Sequence, residues 1–171
     1  MTSGERSGNV SPESEAFGRV DRAVREIAAP PDRIYRALVT RGAVETWLPP
    51  PGASGVIHEF EPTPGGAFRM TLTFEATGET GPGKSSATTD VVDGRFLELV
   101  PNERVRQRFT FKSEDPKFAG AMTMTWRLSP APGGARVTVE AEDVPVGISA
   151  KDHEAGMAAS LENLAHYVER P

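Results

Sequence analysis

Few side chains in this sequence could carry acid–base or metal chemistry. Three histidines, His58, His153 and His166, are the only side chains that ordinarily titrate near neutrality. No two of them fall at a helical ligand spacing, and no H-E-x-x-H run is present. Cysteine is absent, which removes disulfides, thiolate nucleophiles and zinc–thiolate sites together. No metal and no cofactor is therefore expected. His58 stands beside Glu59 in V-I-H-E-F-E, a strand pattern that turns one of the two inward. If His58 is the inward one, its imidazole could transfer protons. His153 opens the apolar stripe of a C-terminal helix, and its simplest place is in solvent at the helix end. His166 lies off that stripe and reads as exposed.

Arginines offer a second kind of chemistry. Arg69 alternates with Phe68 and Met70, and Arg106 and Arg108 share a face opposite Val105, Gln107 and Phe109. A curled sheet that turned them inward could hold a carboxylate bidentately, but the simpler reading is a solvated basic face. Glu140 and Glu142 share a face and suit ion pairs with basic neighbours. The segment G-E-T-G-P-G-K-S, residues 78–85, matches the phosphate-binding loop expression letter for letter. A phosphate loop must open a helix, whereas the residues that follow, S-A-T-T-D-V-V-D-G, read as a strand. The formal charge of −5 argues against nucleic acid as a partner, even with Arg22, Arg25, Arg33, Arg36 and Arg41 close together. Fifteen arginines against four lysines fit a GC-rich, bacterial genome.

A chain of 171 residues suits one domain and a tail, since domains commonly run to about 100–150 residues. Residues 1–16 are rich in Ser, Gly and Glu and read as a disordered tail, with the domain over 17–171. No apolar run approaches the ~18 residues of a membrane span, and the N-terminus lacks the apolar core of a signal peptide. A cytoplasmic location is expected. The first element is a strand over 17–27. Pro30 and Pro31 introduce a short helix carrying Ile34 and Leu38, and A-V-E-T-W-L adds further helical turns before Pro49, Pro50 and Pro51 stop them. Strands follow in V-I-H-E-F-E, A-F-R-M-T-L-T-F-E-A, S-S-A-T-T-D-V-V-D-G-R-F-L-E-L-V, V-R-Q-R-F-T-F-K, A-M-T-M-T-W-R-L-S and A-R-V-T-V-E-A-E-D-V. P-A-P-G-G is the turn between the last two. Over 149–169 the period changes to 3.6, with Met157, Leu161, Leu164 and Val168 in one stripe and Ser149 as N-cap.

Strand, two short helices, a run of antiparallel strands and one long helix is the helix-grip order of the START-like (SRPBCC) superfamily. R-I-Y-R-A-L-V-T-R-G-A-V-E-T-W-L, ending on Trp47, resembles the early helix pair of its activator of heat-shock protein 90 ATPase homologue branch. P-T-P-G-G-A-F-R-M, V-V-D-G-R-F-L-E-L-V-P-N-E-R-V-R-Q-R-F-T-F and D-H-E-A-G-M-A-A-S-L-E-N-L-A-H-Y-V-E are similar to the same branch's turn, strand pair and closing helix. The resemblance spans about residues 18–170 and implies an α+β fold: a curved antiparallel sheet of six to seven strands around the long helix. Many relatives carry Trp where this chain has Met157, which implies a softer, roomier wall.

Such a sheet curls away from its helix and often leaves a cavity between them. The side chains expected to line one are Trp47, His58, Phe68, Met70, Phe109, Met124, Trp126, Met157 and Leu161. The expected role is that of a binding module for a small hydrophobic molecule, without catalysis. Two alternatives remain open. One is docking on a chaperone ATPase or another protein, which would show as an exposed apolar patch near Trp47. The other is a cyclase- or hydrolase-like enzyme using His58 or an inward Arg–Glu pair.

Overall fold

The computed structural model describes residues 19–75 and 88–170. The 1–16 tail, the start of the first predicted strand and the G-E-T-G-P-G-K-S segment lie outside the described residues. Beyond that segment the chain enters a strand at Thr89.

The first strand, β1 (Val20–Ile27), is followed by helices α1 (Pro31–Leu38) and α2 (Arg41–Trp47). Six strands come next: β2 (Ala53–Phe60), β3 (Ala67–Phe74), β4 (Thr89–Val100), β5 (Arg104–Phe111), β6 (Ala121–Ala131) and β7 (Gly134–Glu142). A 3-10 turn at Pro116–Phe118 lies between β5 and β6, and α3 (Ala150–Val168) closes the fold. The sheet order is β1-β7-β6-β5-β4-β3-β2, with every neighbouring pair antiparallel. β1 and β2 therefore occupy opposite edges, and α1 and α2 carry the chain from one to the other.

One face of the sheet is apolar and covered, as the two-residue alternation of an antiparallel sheet allows. Val137, Val139, Phe96 and Ile57 on that face are fully buried. The other face is a charged lattice. Arg22 meets Glu140 at 2.8 Å, Arg69 meets Asp93 at 2.6 Å, Arg106 approaches Glu142 at 3.8 Å, and Arg104 bonds Glu98. Arg69, Arg106 and Arg108 all point away from the core, so the simpler reading of these arginines holds. Exposed pairs of this kind contribute little stability, ~0–1 kcal/mol each.

Local chemistry explains where the elements begin and end. Pro31 takes the first position of α1, where a missing N–H costs nothing. Ser149 Oγ accepts from the Asp152 amide at 3.1 Å, capping α3. Gly66 is required where the β2–β3 turn folds back, because a Cβ there would lie 1.9 Å from the Glu61 carbonyl oxygen. The β6–β7 turn is tighter than the sequence suggested: Pro130 pairs with Ala135 and Ala131 with Gly134, leaving Pro132 and Gly133 as the loop. Pro130 is tolerated because the ladder to β5 ends at Arg127, so it has no donor to supply on that side.

Candidate functional site

α3 lies over the β1 edge of the sheet, and its contacts decide where space remains. Its C-terminal two turns are sealed: Leu161, Leu164, Ala165 and Val168 pack against the sheet and α1 with almost no exposure. Its first turns stand off from β3–β6, where the sheet curls away. Between them lies a cavity of about 660 Å³, within the ~300–1,000 Å³ range of small-molecule sites.

Seven of the nine residues expected to line a cavity are on its wall. Phe68 and Met70 come from β3, Phe109 from β5, Met124 and Trp126 from β6, Trp47 from the end of α2, and Met157 from α3. The aromatic side chains hold one another edge to face. Trp47 and Trp126 stand 5.5 Å apart at 79°, and Phe68 and Phe109 stand 5.4 Å apart at 73°, the arrangement ring quadrupoles favour. Trp47 is anchored by its indole N–H, which donates to the Ala37 carbonyl at 2.9 Å. Asn163 of α3 donates to the Pro49 carbonyl at 3.2 Å, tying the helix to the proline loop.

Leu161 and His58 are placed elsewhere. Leu161 is buried one turn beyond Met157 and is not part of the cavity wall, to which its neighbour Ser160 is the last contribution of α3. His58 is on the outer face. Ile57 pairs with Met70 and Glu59 with Arg69, so His58 is the extra residue of a β-bulge. The bulge shifts the alternation by one, and both His58 and Glu59 are exposed. His58 Nε2 lies 2.9 Å from Thr71 Oγ1 in solvent, and it plays no part in the cavity.

The polar side of the site is different from that expected. His153 is not free in solvent: it lines the cavity with its side chain 14% exposed, and its Nδ1 lies 2.8 Å from Asp21 Oδ2. Asp21 is only 2% exposed, and it also accepts from Arg19 Nε at 3.0 Å and Nη2 at 2.8 Å. Hydrogen bonds from Arg19 hold the Asp21 carboxyl below its usual range in spite of burial, and His153 adds to the effect. Gln107 and Asp90, both nearly buried, line the opposite wall on the sheet. Asp21 was missed, although its signal was present: in β1 it alternates with the inward Ala23, while Val20 and Arg22 point out. Among the described residues no cluster of three or more His, Cys, Asp or Glu side chains could hold a metal. No described helix is long and apolar enough to cross a membrane.

A curved seven-stranded antiparallel sheet gripping a long C-terminal helix defines the α+β helix-grip class, as the sequence resemblance implied. Residues 28–169 match the family described as activator of Hsp90 ATPase homolog 1-like protein, and the chain belongs to that family. Its fold is similar to that of protein CV1439 from Chromobacterium violaceum, which is 33% identical with a TM-score of 0.78 over 89% of this chain and 98% of that one. A Rhodobacter sphaeroides protein is 20% identical, with a TM-score of 0.72 over 90% of this chain and 93% of the other. An AHSA1-like protein from Aeromonas hydrophila is 14% identical, with a TM-score of 0.67 over 88% of this chain and 92% of its own. No curated protein matches the sequence.

Proposed function

We propose that this protein encloses a small, predominantly apolar molecule between α3 and the β3–β6 part of the sheet, and that binding rather than catalysis is its role. The observation that carries this reading is the cavity itself. About 660 Å³ of space is walled mainly by Trp, Phe, Met, Leu and Val side chains, in a chain long enough to have closed it. Close-packed interiors leave few voids larger than a water molecule, and a space of this size has the dimensions and lining of a ligand site.

Docking on a chaperone ATPase would require an apolar surface around Trp47. That side chain is 4% exposed and faces inward, which favours the closed pocket. An enzyme built on His58 is disfavoured by the outward bulge that carries it. The test is native mass spectrometry of protein purified from its own host, compared with the denatured mass. A co-purifying small molecule is the expected result, and repeated recovery of the bare polypeptide mass would overturn the proposal.

A further inference from the structure

The cavity's polar groups narrow down what it accepts, and this inference rests on the ligand-binding reading above. Three of those groups have no protein partner among the described residues: the Nε2 atom of His153, the carboxamide of Gln107 and the exposed carboxylate of Asp152. Gln107 is 8% exposed and on the wall. A buried amide left without a partner is unfavourable, and a ligand's polar group can satisfy it.

The tautomer of His153 follows from its neighbours. Asp21 accepts two hydrogen bonds from the Arg19 guanidinium, which keep it an anion. An anionic carboxylate has only lone pairs to offer, so the imidazole Nδ1 that faces Asp21 Oδ2 at 2.8 Å must carry the proton. In the neutral ring Nε2 is then an acceptor. The carboxylate thereby fixes the tautomer and orientation of the ring. His153 is thus an oriented hydrogen-bond acceptor in an apolar wall.

Charge among the described lining residues disfavours the other common amphiphile. The described lining contains Asp90 and Asp152 and no lysine or arginine. A fatty or aromatic carboxylate would bring an anion to an acceptor nitrogen close to Asp152, with no cation among the described lining residues to meet it. Trp47, Trp126, Phe68 and Phe109 favour flat, aromatic frames. We infer that the occupant is an uncharged aromatic or polycyclic molecule bearing a hydroxyl group, and that this hydroxyl donates to His153 Nε2.

The test is a set of titrations at pH 7.5 with 2-naphthol, naphthalene and 2-naphthoate, on the wild-type chain and on His153→Phe. A net hydrogen bond of about 0.5–1.5 kcal/mol corresponds to an affinity ratio of roughly two- to tenfold. The wild type is expected to prefer 2-naphthol over naphthalene by that factor and to bind 2-naphthoate most weakly. His153→Phe is expected to bind both neutral probes equally. Equal affinity for the two neutral probes in the wild type, or tightest binding of the naphthoate, would overturn this inference and leave the ligand-binding reading standing. Binding of none of the three would overturn both. Should the variant fold poorly, nitrogen-15 imidazole spectra of the wild type decide the matter. A Nδ1-protonated His153 whose Nε2 resonance moves on addition of 2-naphthol supports the inference, and a Nε2-protonated ring, or no movement at saturation, overturns it.

Discussion

Met157 and Leu161 sit one turn apart on the same face of α3 and are equally buried, at 3% and 1% exposure, yet truncating them should not cost the same. Leu161→Ala removes three carbon groups from a place where helix and sheet are already in contact. At ~0.8 kcal/mol per group the transfer loss is roughly 2.4 kcal/mol, and the void left behind raises the total to about 3–4 kcal/mol. Met157→Ala removes a similar number of atoms, but the end of that side chain borders space that is already empty. There are fewer neighbours to lose, and an existing cavity is extended rather than a new one made. The expected cost is about 2 kcal/mol. Domains of this kind have ~5–15 kcal/mol in hand, so both variants stay folded. Urea unfolding gives the comparison directly, as a larger fall in midpoint for Leu161→Ala at an unchanged slope. If Met157→Ala proved equally or more destabilising, Met157 would be tightly packed and the cavity closed in solution.

Asp21→Asn should cost about 1–3 kcal/mol at pH 7, at the modest end because the Arg19 side chain is 30% exposed and can return to water. The folded Asp21 carboxyl titrates below its ordinary value, so its contribution is complete above about pH 4 and disappears as the pH falls through the lower folded value. Urea midpoints of wild type and variant should therefore converge in acid, and a gap that widened there would refute the ion-paired assignment. Gly156→Ala should raise the melting temperature, since the new Cβ meets open space and alanine is favoured by up to ~1 kcal/mol within a helix. Gly94→Ala should lower it, because there a Cβ would lie 2.6 Å from the Phe109 ring and 2.7 Å from the Arg108 carbonyl oxygen. Ser149→Ala removes the N-cap of α3 and should cost about 1 kcal/mol, read from the same thermal melts.

The order of elements and the apolar face of each strand were legible because both rest on local periodicity. Met122, Met124 and Trp126 alternate in β6 and share the covered face, just as the spacing required. The misplacement of His58 has a specific cause. Alternation predicts a face only while the register is unbroken, and the bulge between Ile57 and Glu59 leaves no mark in V-I-H-E-F-E. Asp21 and His153 are separated by 132 positions, and each looked unremarkable alone: one a strand acid among charged neighbours, the other a polar residue at a helix start. Their partnership exists only because β1 pairs with β7 at the edge over which α3 is laid.

Leu161 marks a different boundary between what a pattern determines and what it leaves open. A 3.6-residue stripe states which side of a helix is apolar, and Met157, Leu161, Leu164 and Val168 all obey it. It carries no information on the distance from that stripe to the surface opposite. Here that distance is set by the sheet, whose twist carries β3–β6 away from the early turns of α3, while β1 runs beneath the helix from His153, bonded to Asp21, to Glu169, bonded to the Ala28 amide. The same stripe therefore serves two purposes along its length. Leu161, Leu164 and Val168 seal the core and hold the helix in place, and the turns before them, with Met157 and His153, form a wall with space in front of it. A site of this kind needs no special residue to create it, and an apolar side chain is part of the core or part of the site according to its position along one helix.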